Sequence, residues 1–223
     1  APQGMVICFS DQPHKITNLR MDTGLYGLMR QVVVADLRGY GELEPPPTDY
    51  DLYQWAFIDR AISDLIYLCG ESALGQQVSD ALCVLDALTT SNQPGAPLAV
   101  YGRGEAALPA LLAALLHPKT DTIILDSFLS SFASLATGAA PIWKRYAYLP
   151  DILRFFDIPE LIASRRDKRF LLLNPLDANG ERLDEVDALR LFGSDLPHLS
   201  LQVEFTSRTD PGFDVFEDRP TLS

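Results

Sequence analysis

The chain has 223 residues, of which 47% are hydrophobic and 22% charged. That balance excludes disordered and fibrous classes, and the length makes one domain the default. With 30 acidic against 18 basic residues, the formal charge is −12; such a surface repels nucleic-acid phosphates and anionic lipid, and no apolar run approaches the roughly 18 residues of a membrane span.

Strand and helix patterns alternate along the chain. Met5–Phe9 reads as a short buried strand. Ser10–His14 is polar and loop-like, and a helical stretch follows to about Arg30. Val32–Leu37 is a second apolar strand, ending in Arg38-Gly39-Tyr40-Gly41 before the break at Pro45-Pro46-Pro47. Apolar residues recur at helical spacing over Leu52–Leu68, with Gly70 as the stop signal. Ser72 can cap the next helix, where Leu74, Val78, Ala81, Leu82, Leu85 and Leu88 form one stripe. After the turn cluster Asn92–Pro97 come the strand Leu98–Tyr101, a Gly-Arg-Gly turn and an apolar helix over Glu105–Leu116. Thr122–Asp126, Phe170–Leu173 and Leu199–Phe205 complete the strands.

Strands that are apolar throughout and separated by helices imply a doubly wound, mainly parallel α/β sheet covered on both faces. Residues 127–168 are too many for an ordinary crossover and are rich in aromatics: Phe128, Phe132, Trp143, Tyr146, Tyr148, Phe155 and Phe156. This is expected to be an inserted, cap-like helical segment in a domain over residues 1–215, with 216–223 as a tail. Its aromatics are core residues in one reading and a groove for sugar rings or partners in another. The chain opens directly on a strand with no signal-peptide pattern, as expected of a processed product or an excised domain, so the compartment cannot be read.

Cys8, Cys69 and Cys83 have no metal-type spacing and are expected to be small core residues. No metal-ligand motif links His14, His117 and His198. His14 reads as a solvated loop residue, and His117 as a partner of the last helix carbonyls. Asp36 and Arg38 read as a structural turn pair, and the basic run Arg165–Arg169 as a solvated face or a contact to an acidic partner.

In such sheets ligands bind beyond the carboxyl ends of the strands, and the turn at Gly102-Arg103-Gly104-Glu105-Ala106 lies there. Two devices use a turn of this kind. One is the dinucleotide fingerprint, which Gly102-x-Gly104-x-x-Ala107 matches, with Asp126 about 20 residues on to hold a ribose. Against it, Glu105 would place a carboxylate beside the pyrophosphate. The other is the nucleophile elbow. The order of elements favours it: the Asp36-Leu37-Arg38-Gly39-Tyr40-Gly41 turn, the helix bearing Gly75, Asp80 and Leu85-Asp86-Ala87-Leu88, the Gly102–Ala106 turn, Asp126 at a strand end, and Leu171–Leu173 leading to Asn174-Pro175-Leu176-Asp177. On these motifs the chain resembles the α/β-hydrolase superfamily, in particular acetyl xylan esterase-like proteins, over roughly Met5 to Pro211 but without the family's opening strands.

The resemblance implies an esterase site, and the sequence departs from it where catalysis needs side chains. Gly104 stands at the nucleophile position and cannot attack a carbonyl. No histidine follows the last strand in Ser207–Phe213, and His198 precedes that strand. Asp177, or alternatively Asp126, remains as a residual triad acid without a base to orient. The expectation is a catalytically degenerate esterase-like domain with Gly102, Arg103, Gly104 and Glu105 as its altered elbow. It would need no cofactor or metal. Because tandem esterases of this kind carry a second, non-catalytic domain, it would serve beside a catalytic esterase domain of the same protein, with a carbohydrate as a further candidate ligand. The alternatives are an active hydrolase using Asp126, Asp177, Glu105 and Ser127, or a nucleotide-binding module.

Overall fold

The computed structural model describes residues 4–11, 31–45, 58–90, 96–193 and 196–203. Six strands form one sheet: β1 Met5–Ser10, β2 Gln31–Val34, β3 Leu98–Arg103, β4 Thr122–Asp126, β5 Arg169–Leu173 and β6 Leu199–Gln202. Their order is β2-β1-β3-β4-β5-β6, and every pairing is parallel. The expected doubly wound parallel sheet is thus present. The pleat divides its side chains between two buried layers: Met5, Ile7 and Phe9 of β1 join the larger core cluster, while Val6 and Cys8 join a smaller one on the opposite face. Burial pushes the Cys8 thiol up to about 12.

The helices are α1 Ile58–Leu68, α2 Ala73–Thr90, α3 Ala107–Leu116, α4 Phe132–Thr137, α5 Ile158–Ser164 and α6 Glu185–Phe192. Helix α3 is apolar all round and accordingly buried, with Ala107, Leu108, Ala110, Leu111, Ala113 and Ala114 in the core. In α2, Leu74, Val78, Ala81 and Leu85 are buried and Leu82 and Leu88 pack partly against the core, which matches the expected stripe. Ser72 caps this helix by accepting a hydrogen bond from the Gly75 amide at 2.9 Å. The helical stretch expected up to Arg30, His14 within it, and the part of the Leu52–Leu68 pattern before Ile58 lie outside the described residues. So does the histidine-free Ser207–Phe213.

Residues 127–168 form a segment of short elements rather than long cap helices: α4, α5 and 3-10 turns at Arg145–Ala147 and Ile152–Arg154. Asp157 organises it. Its carboxylate accepts from Ile158 N at the start of α5 and from Phe132 N at the start of α4. Phe128, Phe132, Trp143 and Tyr146 belong to the main core, whereas Phe155 is 77% exposed.

Several local expectations are corrected. Cys69 and Cys83 are exposed, since Cys69 lies beyond the end of α1 and Cys83 points away from the stripe of α2. Asp36 and Arg38 do not pair with each other. Arg38 forks onto Asp80 of α2, with both bonds at 2.6 Å, and reaches Gln76 at 2.7 Å, while Asp36 accepts from Glu42 N at 2.9 Å. Nor is the basic run wholly solvated. Lys168 is buried, and its ammonium donates to the carbonyls of His117 and Thr120 at 3.1 and 2.8 Å. Lys168 and Arg165 are the cations that meet the end of α3. The His117 ring instead contacts Thr120 and Asp86, and burial lowers its pKa. Among the described residues, no helix is long and apolar enough to cross a membrane.

Candidate functional site

The carboxyl ends of β1, β3 and β4 frame a cavity of about 250 Å³, lined by Asp11, Arg103, Gly104, Glu105, Ser127, Ile142, Trp143 and Leu176. Its floor is the turn from β3 into α3, made of a 3-10 turn over Gly104–Ala106 that runs into the helix. Gly104 has φ +60, a left-handed conformation that costs glycine nothing. The sequence pattern puts a ligand site at this turn, and the cavity is there.

Asp11 is the site residue that the sequence pattern does not reveal. Pairing of β1 with β3 sets Ser10 opposite Arg103, so Asp11 comes next to Gly104. Its carboxylate accepts the Glu105 amide at 3.0 Å, and a Cβ built on Gly104 would overlap that carboxylate. The amide after the turn glycine, which an elbow would offer to an oxyanion, is therefore engaged by an acid from the neighbouring strand. An incoming phosphate would meet the same acid. The available signal is an acid directly after a buried strand, and it becomes informative only once that strand is known to neighbour β3.

Glu105 lies against Lys144, which follows the cavity-lining Ile142 and Trp143. Its carboxylate accepts the Lys144 amide at 2.7 Å and lies 3.9 Å from the Lys144 ammonium. Burial is the main cause that pushes its carboxyl up to about 7, while the Lys144 amide and ammonium pull the other way. The structure thus places this predicted residue in a cavity rather than on an exposed first turn.

Asp126 closes β4 within a dense set of donors. Tyr101 Oη donates to it at 2.9 Å, Asn174 Nδ2 at 3.0 Å and Ser127 Oγ at 3.1 Å, and Arg103 Nε stands 3.8 Å away. Those donors already occupy the carboxylate that a ribose would need. Ser127 and Asn174, which follow β4 and β5, have φ +51 and +48, a conformation that asparagine visits readily but that costs a residue such as serine about 1–2 kcal/mol. The Asp177 carboxylate serves its own turn, accepting from the amides of Asn179 and Glu181, both at 2.8 Å. The Asp177 carbonyl holds the indole of Trp143 at 2.9 Å. The fold thus gathers Gly104, Glu105, Arg103 and Ser127 around one cavity, with Asp126 behind them, and leaves the Asp177 carboxylate outside it. His198 precedes β6, at the opposite end of the sheet, and hydrogen-bonds the Ile162 carbonyl at 3.2 Å. Among the described residues no cluster of His, Cys, Asp and Glu is arranged to hold a metal.

No protein-family model matches the chain, and no curated protein matches it. Solved structures do. A candidate acetyl xylan esterase from Bacteroides fragilis NCTC 9343 superposes with TM-score 0.63 at 16% identity, over 90% of this chain and 58% of that one. The acetyl xylan esterase from Paenibacillus sp. R4 gives 0.53 at 15%, over 94% and 71%. A puromycin-hydrolyzing peptidase of Mycobacterium tuberculosis gives 0.52 at 15%, over 92% and 31%. This chain therefore spans 58% of the length of the first of these proteins and 31% of the third. The likeness establishes the architecture: the six-stranded parallel sheet and its flanking helices are an α/β-hydrolase-like fold.

Proposed function

We propose that this chain is an esterase-like domain, over residues 1–215, that has lost serine-nucleophile catalysis. It would act within a longer carbohydrate esterase, by packing against a catalytic domain or presenting a carbohydrate to it. One observation carries the reading: the Asp11 carboxylate sits over Gly104 and takes the Glu105 amide. The position of the attacking side chain and the amide that would stabilise an oxyanion are blocked together. Loss of a serine at 104 relaxes the turn, because glycine is free at φ +60. The absence of histidine from Ser207–Phe213 agrees with it. The esterase neighbours share the fold, and that likeness supports an esterase as the parent activity in this reading.

Hydrolysis of a nitrophenyl acetate is the test, with the wild type beside G104S and the double variant D11A/G104S. All three are expected to stay at the buffer rate, since among the described residues no histidine lines the cavity to activate the new serine. Turnover by the wild type that a serine-reactive inhibitor abolishes would overturn the reading.

A second reading has its own observation. Ser127 holds a left-handed backbone in the cavity that also contains Glu105, and strained residues gather at working sites. In that reading Ser127 and Glu105 serve an active hydrolase. It requires wild-type turnover that Ser127→Ala and Glu105→Gln each remove.

A further inference from the structure

A second cavity, of about 530 Å³, lies between α1, the start of α2, α4 and the turns over residues 145–154. It shares no lining residue with the cavity at the strand ends. Its volume is that of a small-molecule pocket, and its lining has the usual make-up of one, apolar with a few charged groups. Phe132 and Leu135 of α4 face it with Tyr148, Ile152 and Leu153. Tyr67 and Leu153 line it and are still 59% and 46% exposed, so the apolar surface continues to the mouth. Single exposed apolar side chains are ordinary, but a set of them around one hollow marks a binding surface.

The charges around this hollow favour one kind of head group. Asp64 is answered twice, by Arg145 Nε at 3.3 Å on one oxygen and by Arg60 Nε at 3.8 Å on the other. Asp151 is answered by Arg154 at 3.9 Å. Three guanidiniums thus stand against two carboxylates, on a chain whose formal charge is −12. Other acids nearby are turned elsewhere: Glu71 accepts from Gln76, and Asp59 lines the neighbouring hollow with Lys144. Arg145 is held in place by Asp64 and by the Tyr148 ring, 5.5 Å from its guanidinium carbon. Nε is the only nitrogen of that guanidinium with a hydrogen bond among the described residues, so its terminal pair keeps its donors.

We propose that this cavity binds a small amphiphilic carboxylate, an aryl or alkyl acid. The apolar body lies among Phe132, Leu135, Ile152 and Leu153, and the carboxylate takes the terminal nitrogens of Arg145. A planar fork suits a carboxylate, and a charged acceptor makes the stronger bond. One negative charge matches the surplus of one guanidinium. An amine would have to break the Asp64 and Asp151 pairs, and an alcohol would leave the cation without a charged partner.

Calorimetric titration of the full chain with phenylbutanoate tests the site, beside phenylbutanol and phenylbutylamine, which share its skeleton. For a ligand of this size the dissociation constant is expected to be about millimolar. The alcohol and the amine are expected to bind about tenfold more weakly, the worth of one charge-assisted bond. Arg145→Met is expected to bring the carboxylate down to the level of the alcohol. Ala136→Trp, at an exposed position of α4 that lines the cavity, is expected to fill the space and remove binding of all three. It serves as the test should Arg145→Met fail to fold. No binding of phenylbutanoate at about ten times that concentration would overturn the site. So would equal affinity for the three compounds, or carboxylate binding that survives Ala136→Trp. None of these outcomes involves ester hydrolysis or a residue of the first cavity, so this site and the proposed function fail separately.

Discussion

A methyl group on Gly102 would lie 2.7 Å from the Cα of Ala107 and 2.8 Å from the Cβ of Ala110. Neither neighbour can yield, because one is backbone and the other sits on a buried helix. Gly102 is thus what lets α3 lie flat on β3. Gly70 is a useful contrast, with φ +82 but nothing within 4 Å of an added Cβ. Gly102→Ala is expected to destabilise by about 1–3 kcal/mol through overpacking, and Gly70→Ala by about 1 kcal/mol through backbone strain alone. Paired thermal or urea melts check the order, and equal losses would show that α3 can shift away from the strand. The Gly-Arg-Gly pattern was legible in the sequence because glycine is informative where backbones approach. The neighbour that gives Gly104 its meaning was not. Asp11 and Glu105 are 94 positions apart, and only strand order brings them together.

Elements read from local pattern were found where long apolar runs or a clear helical stripe specified them, as in β4 and α2. They were misjudged where a distant side chain decided. The second strand was expected to run to Leu37 but leaves the ladder after Val34. Ala35 N still bonds the Cys8 carbonyl, and then Arg38 is drawn to Asp80 and Gln76 on α2. Lys168 shows the same limit. Its sequence neighbours suggest a solvated basic face, while the end of α3 supplies carbonyls that need a donor. The buried ammonium has a cost, visible in the desolvation that lowers its pKa. Against this stand hydrogen bonds from a charged donor, worth about 1.5–3 kcal/mol each. The bonds are expected to win, so Lys168→Met should lower stability by about 1–2 kcal/mol, or a few degrees of melting temperature for a chain of this size. An unchanged melt would mean that relief from burying the charge cancels the lost bonds.

At the scale of the whole molecule, a cavity lies at the carboxyl ends of the strands, where ligands of open parallel sheets gather. What lines the cavity did not follow from topology, because a wall such as Ile142–Lys144 comes from a segment with no periodic pattern. Net charge is the remaining global property, and its effect can be weighed. The surplus of acids leaves a charge of −12, so the folded state concentrates like charge. The described ion pairs are largely on the surface, with Arg60–Asp64, Arg154–Asp151 and Arg190–Asp187 all roughly half exposed or more. Such pairs are worth about 0–1 kcal/mol each, so screening them sacrifices little. Screening the surplus relieves repulsion spread over the whole surface. Raising salt toward about 1 M, where the screening length falls to about 3 Å, is therefore expected to raise the melting temperature of the chain. Sodium chloride is the salt to use, because sulfate would add its own stabilisation by exclusion from the surface. A melting temperature that falls instead would mean that the forked Arg38–Asp80 pair, with its 2.6 Å bonds, and its neighbours outweigh the repulsion. The Arg38→Ala variant separates the two, since it removes that pair and leaves the acid surplus in place.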